Sequence, residues 1–482
     1  MSDSLTKKTV KSSVWSIIDV LLRQGISFII SIVLTRLLSP SDYGTIGMLM
    51  MFIAVSNVFI DSGFSAGLIR KIDRTEEDLS TAFIFNIIVG SLVYLLLFYI
   101  SPLVAQFFDD STLCTYLRVL GLILIINSFN LVQNAILIYT MQIRLLTIIS
   151  ALSQISTGTI AILFAYNGYG IWALIIQQLA ASLITALLLF FKTGWKPQLR
   201  WNWISFQYLW NFGSKLLLTN LISTFCGQLY SFFIGKYIGK KELGLYTRSD
   251  SFARQPLNIF NNIINKALVP SLASCQNDLS YLRDNYKKCI EIMSFAGFPI
   301  MFCLASISKP LFAILFGEKW IDAAPLFSIL CIGFSIAIVG GITLQLIQVM
   351  GRTDYTLKLE LIKKPIFVIL AIIGCSQGIK GIVIFSAIYE LVGTLINLTV
   401  VHTLLQYNYF GQLIDIFKYA GITLLILSPI VIISNILNIN YLWQFFTILP
   451  LFFSLYLFFS FLFKVKALCH VKQIVSKIRK RA

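Results

Sequence analysis

The sequence has 482 residues, of which 57% are hydrophobic and only 12% are charged. A water-soluble domain has about 25% charged residues, so this composition excludes a chain whose whole surface faces water. The net charge of +17 would suit a nucleic-acid-binding protein, but lysine and arginine concentrate in alternate connections between apolar runs, as in membrane proteins. We therefore predict an all-α polytopic membrane protein and expect no nucleic acid as a partner.

Long apolar runs with short polar connections predict fourteen membrane-spanning helices. A helix needs about 20 residues to cross a bilayer. The uncharged run from Leu145 to Phe191 is long enough for two spans, with a turn near Gly168. The predicted spans are 14–38, 44–67, 81–105, 115–138, 145–166, 170–191, 211–235, 246–270, 290–312, 324–349, 357–376, 379–402, 417–435 and 441–463.

A ten-residue segment at residues 35–44 recurs at residues 235–244. In both copies a basic residue, an aliphatic residue, an acidic residue and a final glycine occupy the same places. Each copy stops one helix and places its acid at the positive end of the next, which is typical of a tight turn between helices. The repeat predicts two homologous halves. The matched pairs are Arg36 and Lys236, Leu38 and Ile238, Asp42 and Glu242, and Gly44 and Gly244.

The spans and the repeat together divide the chain into five segments. We predict an N-terminal six-helix lobe (1–191), an interfacial cytoplasmic linker rich in tryptophan (192–210) and a C-terminal six-helix lobe (211–402). Two additional transmembrane helices (403–463) and a basic cytoplasmic tail (464–482) follow. The tail suits either a helix on an anionic leaflet or a solvated stop signal, and the sequence leaves both interpretations open.

The distribution of lysine and arginine predicts the orientation. Most of these residues lie in the connections on the side of the N-terminus, so both termini are expected in the cytoplasm. One predicted outer connection does not fit this rule, because it holds Lys236, Lys240, Lys241 and Arg248.

Three predicted spans carry polar side chains at helical spacing. A charge at the middle of a bilayer costs at least ~3 kcal/mol, so such faces point into a bundle or a water-filled cavity. Two interpretations remain open: a substrate cavity, or internal ion pairs such as Asp250 with Arg254 that only hold the helices together. The candidate cavity residues are Asp19, Arg23, Gln24, Asn220, Gln228, Asp250, Arg254, Asn258, Asn261 and Lys266.

Three acids in or near spans, Asp61, Glu360 and Glu390, are candidate sites for a coupling Na⁺ or proton. For Asp61 a position at a helix end is the simpler explanation. The eight cysteines are scattered and neither His402 nor His470 has a nearby partner, so we expect no metal site and no other cofactor. No motif for nucleotide binding or hydrolysis occurs, and a membrane-bound glycan polymerase or ligase would need a larger outer loop. We therefore expect a transporter and not an enzyme.

The segment Leu34–Gly44, preceded by Ser13, Trp15, Ser16 and Gln24, resembles the first-helix signature of bacterial polysaccharide flippases. These Wzx-type exporters form the polysaccharide transporter family of the MOP superfamily, which also holds the lipid II flippase and the MATE exporters. A weaker likeness lies in residues 243–248. The motif is structural, so it indicates the family and not the substrate.

The resemblance implies that the chain translocates an undecaprenyl-pyrophosphate-linked oligosaccharide across the bacterial inner membrane by alternating access. Such a step serves the assembly of exopolysaccharide, O-antigen or capsule. The implied partners are the lipid-linked oligosaccharide, membrane lipids and other proteins of glycan assembly. The alternative is a MATE-like, ion-coupled exporter of small molecules, for which twelve spans and no additional pair would be expected.

Overall fold

The structure is a computed structural model that describes residues 24–61, 63–198, 200–273, 275, 278–436, 440–462 and 466–468, and all regular structure in these ranges is helical. The helices of the first half are α1 (Gln24–Leu37), α2 (Pro40–Asp61), α3 (Phe64–Arg70), α4 (Glu76–Phe107), α5 (Thr112–Tyr139), α6 (Ile143–Tyr166), α7 (Ile171–Thr193) and α8 (Trp203–Phe233). Those of the second half are α9 (Lys240–Ile263), α10 (Val269–Ala273), α11 (Leu279–Ser306), α12 (Ser308–Phe316), α13 (Ala324–Val349), α14 (Thr353–Ser376), α15 (Gly378–Leu405), α16 (Tyr409–Ile436) and α17 (Tyr441–Leu462).

Each of the fourteen predicted spans falls on a helix. In the described residues, eleven helical segments are long and apolar enough to cross a membrane, with α2 and α3 forming one of them. The remaining three predicted spans coincide with α1, of which only residues 24–37 are described, and with α9 and α14, which carry charged side chains. The prediction of an all-α polytopic membrane protein is confirmed.

The chain forms two compact units, residues 1–244 and residues 245–482. In the first unit, the antiparallel pair α4 and α5 packs beside the pair α6 and α7, and α8 packs against α2 and α3. The predicted C-terminal lobe begins at residue 211, within α8, so this helix belongs by sequence to one half and by packing to the first unit. The homology of 14–191 with 211–402 stays a prediction.

Short-range signals build the connection before α4 in the first unit. Thr75 and Asp78 form the predicted capping box at the start of α4, and Lys71 Nζ lies 2.7 Å from both carboxylate oxygens of Asp78. The linker between α7 and α8 then runs along this helix start. Trp195 Nε1 donates to Glu76 Oε2 at 2.9 Å, and the Asn202 side chain caps α8. The linker is therefore attached to the lobe it follows.

In the second unit, α13 packs against α11 and α15, and α14 packs against α15. The additional pair α16 and α17 is attached to α11 by polar groups as well as by apolar packing. Lys418 Nζ lies 2.8 Å from the buried Glu291 carboxylate, and the Tyr456 hydroxyl donates to the Phe295 carbonyl at 3.0 Å. The last two helices are thus an integral part of this unit.

Candidate translocation site

The first copy of the repeated motif starts α2. The Ser39 backbone N–H and hydroxyl both donate to Asp42 Oδ2, at 2.9 and 2.6 Å, and the Asp42 N–H donates back to Ser39 Oγ. This reciprocal cap satisfies the first amides of the helix and places a carboxylate at its positive end. The second copy starts α9 after Gly239, whose φ of 137° favours glycine. Both turns are those expected from the sequence.

The two copies of the motif touch each other through their glycines. A Cβ atom on Gly44 would lie 1.6 Å from the carbonyl oxygen of Lys240, and one on Gly244 would lie 1.7 Å from the carbonyl oxygen of Pro40. The contact is reciprocal, because each glycine meets the equivalent position in the other copy. Backbone therefore lies against backbone at this crossing, and no side chain fits between.

The basic residues of this region, which did not fit the orientation rule, are partly neutralised by acids. Lys236 Nζ lies 3.1 Å from Asp109 Oδ2, and Lys240 Nζ lies 3.1 Å from Asp110 Oδ2. Burial raises the pKa of Asp110, but hydrogen bonds from Thr112 and Lys240 outweigh this effect, so the pKa lies below its ordinary value. The positive charge of this connection is smaller than its sequence indicates.

The predicted cavity residues of the first unit are spread over two helices. Gln24 is half-buried on α1, and Asn220 is exposed on α8. Gln228 lines an apolar cavity of about 440 Å³ between α2, α4 and α8, together with rings such as Phe52 and Phe225. Asp19 and Arg23 lie outside the described residues.

Asp61, a candidate coupling acid, lies at the end of α2 in a different, polar cavity of about 490 Å³. This cavity is walled by α2, α3, α5 and α7, and most of its polar groups were not predicted as site residues. They include Asn57, Asn127, Asn130 and Asn134. The last three follow the same helical spacing as the predicted stripes, so the sequence contained a signal for them that the prediction did not use.

In the second unit the stripe of α9 includes an ion pair. Arg254 Nε lies 2.6 Å from Asp250 Oδ2, and the guanidinium lies 4.8 Å from the centre of the Phe334 ring. Half of the Arg254 side chain is exposed, as is much of Asn258 one turn further. Asn261 is half-buried beside Gly341, and Lys266 is exposed in the π-helical turn after α9. The stripe thus presents polar groups and one stacked arginine.

The candidate acids Glu360 and Glu390 belong to the same electrostatic network as Arg254. The charges of Arg254 and Lys363 both act on Glu390. Lys363 Nζ lies 3.4 Å from Glu360 Oε1 and 3.3 Å from Asn397 Oδ1, and only 7% of Lys363 is exposed. This buried lysine was not predicted as a site residue, because its partner Asn397 lies on another helix, α15. The network alternates in sign from Asp250 to Glu360.

A model of a family described as "Polysaccharide biosynthesis protein" matches residues 33–325, which is more than half of the chain. The chain belongs to this family. It is similar to the Bacillus subtilis (strain 168) teichuronic acid biosynthesis protein TuaB, with 24% identity over 73% of each chain. It is also similar to the Escherichia coli (strain K12) lipopolysaccharide biosynthesis protein WzxC, with 22% identity over 82% of this chain and 81% of WzxC.

Among solved structures, the fold is similar to that of the lipid II flippase MurJ in an inward closed conformation. The TM-score is 0.76 at 14% identity, and the match covers 94% of this chain and 98% of MurJ. As a member of the polysaccharide biosynthesis family with this fold, the chain is a multi-pass membrane protein.

Proposed function

We propose that this chain is a flippase that moves an undecaprenyl-pyrophosphate-linked oligosaccharide from the inner to the outer leaflet of the bacterial cytoplasmic membrane. It acts by alternating access, supplies exopolysaccharide, O-antigen or capsule assembly, and is not an enzyme. Both termini lie in the cytoplasm. The family, the names of TuaB and WzxC, and the full-length similarity to a lipid II flippase support this proposal.

The observation that carries the proposal is the arrangement around Arg254. Asp250 accepts a hydrogen bond from Arg254 Nε, and the two terminal nitrogens of Arg254 have no hydrogen-bond partner among the described residues. The Arg254 side chain is half exposed. A guanidinium offers paired donors that match two phosphate oxygens, which a lysine ammonium cannot do. In this proposal Arg254 binds the pyrophosphate, and Asn258 and Asn261 along the same helix bind adjacent polar groups. We propose the same role for Arg23, which lies outside the described residues.

Release of the headgroup requires a competitor for Arg254. Asp250 is already bonded to it, and the charge of Glu390 acts on it as well. When the anionic headgroup leaves, these acids again compensate the arginine, so the site does not hold an unpaired charge in either state. A coupling proton or Na⁺ acts in this proposal by changing the charge of Glu390 or Glu360.

The alternatives fit less well. A MATE-like exporter was expected to end after twelve spans, whereas α16 and α17 here are bonded to α11 through Lys418 and Tyr456. A glycan polymerase or ligase would need a large outer domain, and the helices follow one another through short connections in the described chain.

The function is tested in a bacterium that lacks its own polysaccharide flippase and accumulates lipid-linked oligosaccharide in the inner leaflet. Expression of this chain together with its native glycan-assembly genes is expected to restore surface polysaccharide. Continued accumulation of the inner-leaflet intermediate, with the protein inserted at normal abundance, would reject the proposal. A control strain expresses the same genes with a known flippase for that glycan.

A further inference from the structure

The polar cavity of the first unit, which contains Asp61, is lined on one side by asparagines that lie inside α5, away from its ends. Asn127, Asn130 and Asn134 occupy one face of α5, and the nearest of them is five residues from the helix end at Tyr139. At 1.5 Å per residue, this face begins about 8 Å inside the helix and extends toward its middle. Polar faces at such depth line protein contacts or a water-filled cavity.

Several groups in this cavity have unused hydrogen-bonding capacity. Asn127 Nδ2 donates to Asn57 Oδ1 at 3.0 Å, which fixes both amides. Asn130 Nδ2 donates to the Ser182 carbonyl at 3.4 Å, but its Oδ1 has no partner, although only 8% of Asn130 is exposed. The Asp61 carboxylate makes no hydrogen bond or ion pair with any other described residue. A buried acceptor without a partner is costly, so Asn130 Oδ1 indicates a ligand, and the exposed Asp61 carboxylate in the same cavity is accessible to that ligand.

The composition of the cavity selects the class of ligand. Among the described residues no lysine or arginine lines it, so a pyrophosphate has no cationic partner there. Its amides offer donors and acceptors side by side, which match hydroxyl groups that both donate and accept. Its volume of about 490 Å³ falls in the usual range for small-molecule sites, whereas a bare cation needs oxygens within about 2.6 Å on all sides.

We propose that this cavity binds a neutral sugar unit of the glycan, with Asp61 and Asn130 accepting from its hydroxyls. This inference rests on the proposed function, since it takes the ligand to be part of the transported headgroup. The amides and one carboxylate of this cavity then recognise the glycan. Asp61 thereby acquires a binding role in place of a coupling role.

The test uses the purified full-length protein and a panel of free neutral hexoses, 6-deoxyhexoses and N-acetylhexosamines at millimolar concentrations. Thermal unfolding is expected to show stabilisation by at least one sugar. Asp61→Asn and Asn130→Leu keep the size of each side chain and should weaken the apparent affinity at least about tenfold, because each removes an acceptor. Asn167→Leu, in the exposed connection before α7, is the matched control and should leave it unchanged.

Three results would overturn the inference. The first is that no sugar stabilises the wild type, and the second is that both cavity variants keep the wild-type response. The third is that NaCl stabilises the wild type more than choline chloride does and that Asp61→Asn abolishes this difference. The last result would make the cavity a cation site. Because the experiment measures binding and not transport, it tests the sugar site separately from the flippase function. Sugar binding at Asp61 without any flipping supports the cavity and contradicts the flippase, whereas flipping without a sugar response overturns only the inference.

Discussion

The reciprocal glycine contact gives the sharpest prediction for the structure itself. In Gly44→Ala the new Cβ would lie 1.6 Å from the Lys240 carbonyl oxygen, and real Cβ contacts essentially never fall below 3.0 Å. The two backbones must therefore separate by about 1.4 Å, the difference between these two distances. Neither partner is a flexible side chain, so the strain cannot be relieved locally. Overpacking of a tight contact costs about 1–3 kcal/mol, and we expect the upper end of this range.

Replacement of glycine by alanine should instead increase stability at helical positions where the new methyl group has space. A Cβ on Gly227 of α8 or Gly421 of α16 would meet no atom within 4 Å. Alanine at these positions should stabilise the protein by about 0.4–1 kcal/mol, since it restricts the unfolded chain without strain. The assay is thermal unfolding in detergent, where 1 kcal/mol corresponds to a shift in Tm of roughly 2–4 °C for a domain of the size of either unit. If Gly44→Ala and Gly244→Ala unfold at the same temperature as Gly227→Ala, the close contact between the two motifs is wrong.

Three further predictions address the ion pairs and the orientation. Lys418→Met should destabilise the protein by about 3–5 kcal/mol because it removes the ion pair with the buried Glu291 carboxylate. Glu291→Gln in the same chain should restore most of the loss in thermal unfolding. Because the pKa of Asp110 is lowered in the folded protein, its contribution to stability is present above its ordinary pKa of 3.8 and is lost as pH falls through the folded-state value. Asp110→Asn should therefore flatten the acid side of a curve of stability against pH. In a variant without native cysteines, an impermeant thiol reagent added to intact cells should label Asn167→Cys and not Ile72→Cys, and the reverse pattern would contradict cytoplasmic termini.

Local features of the fold could be predicted because they depend on neighbours in the sequence. Apolar run length gave the positions of the spans, and the acid after the helix stop gave the cap made by Ser39 and Asp42. The capping box of Thr75 and Asp78 is of the same kind. Such contacts join residues three or four apart, so spacing alone defines them.

Contacts between distant helices could not be predicted in this way. The repeat showed that Gly44 and Gly244 are equivalent, but periodicity does not state that the two copies cross. Lys363 was missed for a similar reason, since its partner Asn397 lies on another helix and both are buried. The asparagines of α5, in contrast, form a stripe at helical spacing that the sequence shows as clearly as the predicted stripe of Asn220 and Gln228.

In the proposed mechanism Arg254 binds the anionic headgroup during flipping. Purified protein is reconstituted into liposomes that contain a fluorescent undecaprenyl-pyrophosphate-linked oligosaccharide, and an impermeant quencher reports how fast the headgroup reaches the opposite leaflet. Charge-assisted hydrogen bonds contribute about 1.5–3 kcal/mol, so Arg254→Ala should slow flipping by about 10- to 100-fold at equal insertion, with partial rescue in Arg254→Lys. Arg23→Ala should behave in the same way. Flipping at the wild-type rate in both alanine variants would show that these arginines only hold helices together and would contradict the proposed mechanism.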